Sequence, residues 1–216
     1  MRYRRLGRTE WMVSEVGLAL RALEGLDEAV AGAALGAAIA SGVTLVLVDV
    51  REHEGGVEPL IGRVMASERP RLVVVSRFER TAETSTFAGQ LQAAGKRLSN
   101  EGYLDIALFP QVPDPEQRAI LDALAAARTV RAWGIETADA STAARAFEAG
   151  ARVLVTPAGA AEPLLAGAAQ ADAGVIVEGD PASIGSALAD ARVASVVAEA
   201  MAAGEVEALA RAALRG

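Results

Sequence analysis

Short runs of aliphatic and β-branched residues recur along the chain, each followed by a polar hinge and then an Ala/Leu-rich stretch. The runs fall at residues 16–20, 44–50, 72–76, 103–109, 130–135, 152–156, 174–177 and 193–198. Between and after them lie stretches with apolar residues three or four apart, at 27–41, 57–67, 86–99, 115–128, 141–149, 161–170, 182–189 and 205–214. Several of these open on an Asp or Ser placed to cap a helix. Near-continuous apolar strands alternating with helices imply a parallel sheet covered on its outer face. Eight such units predict an α/β fold of the closed (β/α)8 TIM-barrel type. No G-x-G-x-x-G follows any of the strands, so the dinucleotide fingerprint of an open doubly wound sheet is missing. Residues 3–15 read as two short strands around a turn at Arg8-Thr9, an N-terminal β-hairpin ahead of the barrel. With 216 residues against about 250 for a typical barrel, the chain is expected to be one domain, 1–216, with shortened βα loops.

Composition narrows this picture. Hydrophobic residues make up 52% of the chain and aromatics only 4%, so the interior has to be built from Ala, Val, Leu and Ile. Charges or glycines break every apolar run short of the roughly 18 residues that span a bilayer, and the basic start MRYRRLGRTEW lacks the apolar core of a signal peptide. A cytoplasmic protein with no membrane partner is the expectation. The absence of cysteine removes disulfides, thiolate nucleophiles and cysteine metal sites, and a single histidine, His53, excludes a two-histidine zinc site. A net charge of −7 argues against a nucleic-acid partner. The one basic cluster, Arg2, Arg4, Arg5 and Arg8, reads as the solvated face of the hairpin.

The segments MRYRRLGRTEWMVSEVGLAL, SGVTLVLVDV with VEPLIGRVM, RLVVVSRF, GYLDIALFPQVPDP, VRAWGIET and GVIVEGDP resemble, in this order and spacing, the hairpin and the first to fifth and seventh strands of the aldo-keto reductases. That resemblance implies a (β/α)8 barrel and NADPH-dependent carbonyl reduction by an Asp, a Tyr, a Lys and a His around the substrate oxygen. Counted from Gly42, the family's Asp falls on Leu47 and its Tyr on Glu52, its Lys on Arg77 and its His on Pro110, with Gln111 the nearest polar substitute. A register shifted by two puts Asp49 on the acid's position and Glu54 on the phenol's. Neither register restores a Tyr. The Ser-Asn pair that the family uses on the nicotinamide amide becomes Glu136-Thr137, the stacking position on the seventh strand becomes Glu178, and AEAMAAGEVE after the eighth strand brings Glu199. Three carboxylates there disfavour dinucleotide phosphates, so the expectation is that no cofactor binds, with NADPH kept for the alternative of an active reductase.

In any such barrel the chemistry sits at the C-terminal ends of the strands. Those ends here carry Arg21, Asp49 with Glu52 and His53, Arg77, Gln111, Glu136, Thr156, Glu178 and Glu199. Charged residues belong at strand ends because these meet solvent, yet a ring of carboxylates also supplies a general acid or base with a shifted pKa. The candidate catalytic set is Asp49, Glu52, Arg77, Glu136, Glu178 and Glu199, with Arg77 orienting an oxyanion. No metal-ligand spacing accompanies it. The function expected first is a barrel that has lost NADPH-dependent reduction: a pseudoenzyme, or an acid–base enzyme of isomerase, cyclase or lyase type acting on a small-molecule ligand. The alternatives are a divergent NADP(H)-dependent oxidoreductase on a small carbonyl substrate and a protein-interaction subunit, with a homo-oligomer or protein partner.

Overall fold

The computed structural model describes residues 1–9, 11–50, 62–63, 66, 68–79, 82–99, 101–159, 162–200 and 202–213. Two short strands, β1 (Tyr3–Arg5) and β2 (Met12–Ser14), form an antiparallel hairpin with Tyr3 opposite Ser14 and a 3-10 turn, Gly7–Thr9, at its tip. Eight parallel strands follow: β3 (Val16–Ala19), β4 (Leu45–Val50), β5 (Val73–Phe78), β6 (Leu104–Phe109), β7 (Val130–Glu136), β8 (Val153–Pro157), β9 (Gly174–Glu178) and β10 (Val193–Glu199). They pair in chain order, and β10 pairs back onto β3, which closes the barrel. The α/β barrel and its hairpin are thus as the apolar rhythm predicts.

Helices Glu28–Ala40, Thr84–Leu98, Pro115–Ala126, Ala140–Glu148, Glu162–Gln170, Ile184–Leu188 and Ala203–Ala213 wrap the outside. Their starts follow from capping. Asp114 and Gln117 form a reciprocal box, Asp114 Oδ1 accepting from the Gln117 N–H at 2.8 Å and Gln117 Oε1 from the Asp114 N–H at 2.9 Å. Asp27 and Asp139 cap their helices through the N–H groups of Ala29 and Thr142. The helix expected at 182–189 is shorter than its periodicity suggests, only Ile184–Leu188. The one expected at 57–67 lies almost wholly outside the described residues. Among the described residues, no helix is long and apolar enough to cross a membrane.

The alternation of side chains along each strand sorts the core into two layers. Leu45 and Leu47, Val73 and Val75, Ile106 and Leu108, and Val153 and Val155 fill the barrel interior. Their neighbours Val46, Val48, Val74, Ala107, Phe109 and Leu154 pack outward beneath the helices. Phe78 and Phe109 belong to that outer layer and stack at 5.5 Å between ring centroids, with Phe87 at 5.4 Å from Phe109. They therefore do not plug the mouth.

The hairpin seals the floor. Leu6 and Val13 are fully buried in the inner layer, and Trp11 packs against it. Gly7 sits at φ +52°, where a Cβ would come within 2.2 Å of the Gly174 backbone nitrogen, so only glycine allows the turn to approach the start of β9 this closely. Of the basic cluster, Arg2, Arg5 and Arg8 are exposed, as a solvated face requires, and Arg4 is half-buried; the cluster also makes structural bonds. Arg2 and Arg4 both bind the buried carboxylate of Glu15, at 2.6 and 2.7 Å. Arg4 also donates to the carbonyls of Leu188, Asp190 and Val193 at 2.9, 3.1 and 2.8 Å, and Arg8 to that of Ala151 at 3.0 Å. These carbonyls lie near the ends of helices and strands, and the guanidinium groups tie the hairpin to them.

Candidate functional site

At the opposite end, the inward register of the strands continues one step past the apolar core, and there it becomes ionic. Two residues beyond Leu47 stands Asp49; two beyond Val75 stands Arg77; two beyond Ile176 and Val197 stand Glu178 and Glu199. Glu136 occupies the same level on β7. Asp49 and Arg77 are direct partners across the β4–β5 ladder. Arg21 joins them from the 3-10 turn Leu20–Leu23 that follows β3.

The contacts form a closed ring. Arg77 Nε donates to Asp49 Oδ1 at 2.6 Å, and Arg21 Nε lies 3.1 Å from Asp49 Oδ2. Arg21 Nη2 donates to Glu178 Oε1 at 3.1 Å, and Glu178 Oε2 accepts from Arg77 Nη1 at 2.7 Å. Two guanidinium groups and two carboxylates thus neutralise each other, each carboxylate using both oxygens. Glu136 is attached to this ring by one bond, sharing Arg77 Nη1 at 3.1 Å. Glu199, half exposed at the rim, lies 3.9 Å from Arg21.

That unequal pairing sets the protonation states. For Glu136, burial is the largest influence and disfavours the carboxylate; the charge of Arg77 opposes it, the charges of Glu178 and Asp49 reinforce it, and the carboxyl ends above its ordinary value. For Arg77, burial acts to release the proton, but the hydrogen bond and charge of Asp49 and the charges of Glu178 and Glu136 outweigh it and raise its pKa. Arg77 therefore stays a cation, and Glu136 is the carboxyl at the mouth whose charge is least supported. Arg77 Nη2 makes no hydrogen bond to any described residue.

Five of the six candidates, Asp49, Arg77, Glu136, Glu178 and Glu199, come together at the mouth. The sixth, Glu52, lies outside the described residues with His53 and Glu54. Two other strand-end residues do not join them: Thr156 is buried in the outer layer with its hydroxyl unpartnered, and Gln111 is exposed past the end of β6. Arg21, not counted among the candidates, belongs to the ring; its place two residues after the inward Ala19 is the signal that finds it. Of the two registers, the shifted one puts the acid at the mouth, because Leu47 is buried in the barrel interior while Asp49 meets Arg77.

Beside the ring, between the ends of β9 and β10 and the helix Ala203–Ala213, lies a cleft of about 390 Å³. Ala22, Pro181, Ala200 and Leu209 give it apolar walls, and Glu199 and Glu205 are its acidic edge. Its volume and walls suit an adenosine-sized group. No lysine or arginine is among its described lining.

No family model matches the sequence, and no curated protein does. Solved structures match over nearly the whole chain. An aldo-keto reductase of Bacillus halodurans, AKR11C1 in its holo form, superposes with a TM-score of 0.87 at 16% identity, covering 98% of this chain and 90% of its own. An aldo-keto reductase of Klebsiella pneumoniae in complex with NADPH gives 0.76 at 19% identity over 98% of this chain and 89% of its own. The Klebsiella pneumoniae enzyme in complex with NADP and acetate gives 0.76 at 20% identity over the same shares. The bound dinucleotides correct the expectation that no cofactor belongs here: barrels this similar hold NADPH or NADP. That expectation weighed side-chain charge alone, and a dinucleotide's phosphates also bind backbone N–H groups that composition does not reveal. The chain has the fold of the aldo-keto reductases.

Proposed function

We propose that the mouth is a proton-transfer site for chemistry at a small carbonyl compound, with Glu136 as the acid or base and Arg77 as the fixed cation facing the substrate oxygen. The observation that carries this is the pairing at the rim. Asp49 and Glu178 are each held by two arginines, whereas Glu136 has one shared bond and a raised pKa. Arg77 is locked through Nε and Nη1, which leaves Nη2 for an acceptor oxygen on the substrate. A guanidinium in that place stabilises developing negative charge without giving up its proton, so the proton has to come from a neighbour.

Oxidoreduction with a nicotinamide dinucleotide is the first reading, because structures of the same fold hold NADPH and NADP and because the cleft beside the ring has adenosine-sized apolar walls. The cofactor, when bound, supplies the hydride; Glu136 donates the proton to the carbonyl oxygen that Arg77 holds. Proton transfer without hydride, as in isomerisation or elimination, is the second reading, favoured by the carboxylates of Glu199 and Glu205 on the cleft's edge. Fluorescence titration with NADPH and NADH separates them: binding in the micromolar range supports the first, and silence with both moves the function to the second. With a panel of small aldehydes and ketones, turnover should fall as pH rises through the raised pKa of Glu136. Glu136→Gln should remove that limb and most of kcat. Full turnover in the variant would take Glu136 out of the chemistry.

A further inference from the structure

We propose that the floor end carries a second binding site, a small pocket where Arg69 takes an oxyanion, the carboxylate or phosphate group of a small molecule. It lies at the opposite end of the barrel from the mouth and does not depend on the reaction proposed there. Two independent observations carry it. The first is the state of Arg69, which opens the 3-10 turn Arg69–Arg71 before β5 and is 4% exposed. Its Nη1 donates to Asp105 Oδ2 at 2.7 Å and to the Leu72 carbonyl at 3.2 Å, and the Tyr103 ring covers one face at 4.5 Å. Nε and Nη2 are buried and have no hydrogen-bond partner. These two N–H groups lie side by side on one edge of the guanidinium, the fork that takes two oxygens of a carboxylate or phosphate. Native interiors seldom leave one buried donor empty, and here a whole fork is.

The second observation is a cavity of about 140 Å³ with Arg69 in its wall. Pro70, Leu98 and Tyr103 give it apolar sides, and Ser99 brings a hydroxyl. That hydroxyl accepts from the Glu101 N–H at 3.1 Å, and its own proton has no acceptor among the described residues. At roughly 30 Å³ per water, the space holds a group of about five non-hydrogen atoms, the size of acetate or phosphate. The nearby charges suit an anion. Asp105 is shared between Arg69 and Arg131, so it cancels only one of the two cations, and Glu68 is already paired with Arg71 at 2.8 Å. Glu101, exposed in the lining, opposes an anion and moderates its affinity. Because the fork is shut off from solvent, a ligand reaches it by shifting the wall, and two acceptor oxygens offset that cost best.

Inorganic phosphate and acetate, each titrated calorimetrically into the full chain in chloride buffer at fixed ionic strength, test this. At least one should bind at about 1 mM or tighter. Phosphate binding the tighter assigns a phosphoryl group to the ligand; acetate binding the tighter assigns a carboxylate. Arg69→Lys keeps the charge but has no fork, and should weaken that binding about tenfold. If that variant does not fold, two milder ones decide: Ser99→Ala should weaken binding about threefold and Glu101→Gln should tighten it about threefold. No binding of either oxyanion up to tens of millimolar, an affinity unmoved in folded Arg69→Lys, or one unmoved in both Ser99→Ala and Glu101→Gln would overturn the inference. The last two outcomes also cover an oxyanion that binds at the mouth instead, since none of these residues lies there.

Discussion

The two ends of this barrel hold the same residue types in opposite proportion. At the floor, arginines outnumber carboxylates: Arg2 and Arg4 hold Glu15, and Arg69 and Arg131 hold Asp105 at 2.7 and 3.1 Å. Among the described residues of the mouth, carboxylates outnumber arginines, with Asp49, Glu136, Glu178 and Glu199 around Arg21 and Arg77. The floor carboxylates are 4% and 2% exposed, and each accepts from two guanidinium groups. A buried carboxylate keeps its charge only with that much support. At the mouth the support is rationed, solvent is near, and one carboxyl is left with a raised pKa. The direction of the charge surplus thus separates the end that holds the barrel together from the end proposed to do chemistry.

The comparison breaks most visibly if the floor is broken. Asp105 accepts from Arg69, from Arg131 and from the Val74 N–H at 3.0 Å, and the Tyr103 ring lies between the two guanidinium groups at 4.5 and 4.1 Å. Asp105→Asn leaves the Arg69 charge buried and uncompensated, a loss of about 3–5 kcal/mol in unfolding free energy. Urea denaturation measures it. A change under about 1 kcal/mol would mean that this network is ornamental and that the two ends differ only in composition.

Glu15 comes next. Burial acts to raise its pKa, but the hydrogen bonds and charges of Arg2 and Arg4 outweigh it and leave the pKa lowered. A carboxyl with a lowered folded pKa contributes stability above its unfolded value and loses that contribution as pH falls through the folded value. Glu15→Gln should therefore cost about 2 kcal/mol near neutrality. The gap between variant and wild type should close in strong acid, where both side chains are neutral. Urea midpoints at the two pH values check the sign, and a gap that persists in acid would assign the loss to packing.

How much of this the sequence discloses depends on the range of the interaction. The eight strands are legible because each β-branched run is a local pattern, and the mouth residues are legible because strand ends in a barrel face one opening. Which of them point inward is legible too, once the count by two from Leu45 and Leu47 reaches Asp49 and excludes Thr156 on its own strand. Pairing is not legible. Arg21 meets Glu178 across 157 positions and Arg4 meets the Leu188 carbonyl across 184, and no local pattern encodes such partners. For that reason Arg4 reads as solvated in the sequence and proves to be a half-buried clamp. The cofactor expectation went astray for a related reason: it counted side-chain charges, while the backbone and cleft shape that accompany them come only from the fold.

The smallest expected effect is the most discriminating. Glu136→Gln removes the carboxyl that the mouth supports least. A carboxyl with a raised folded pKa contributes stability only below its unfolded pKa, and the folded state gives this up as pH rises toward the folded value. Wild type and variant should thus be equally stable in acid, where Glu136 is neutral, and the variant should match or exceed wild type near neutrality. Solvent screening limits the gain to under about 1 kcal/mol, since the side chain is 32% exposed. Calorimetric melting at both pH values reads the difference. The opposite outcome, a neutral-pH loss like that of Glu15→Gln, would show that Arg77 holds Glu136 as a structural ion. The mouth would then be a second floor, with its surplus charge unconnected to any proton in flight.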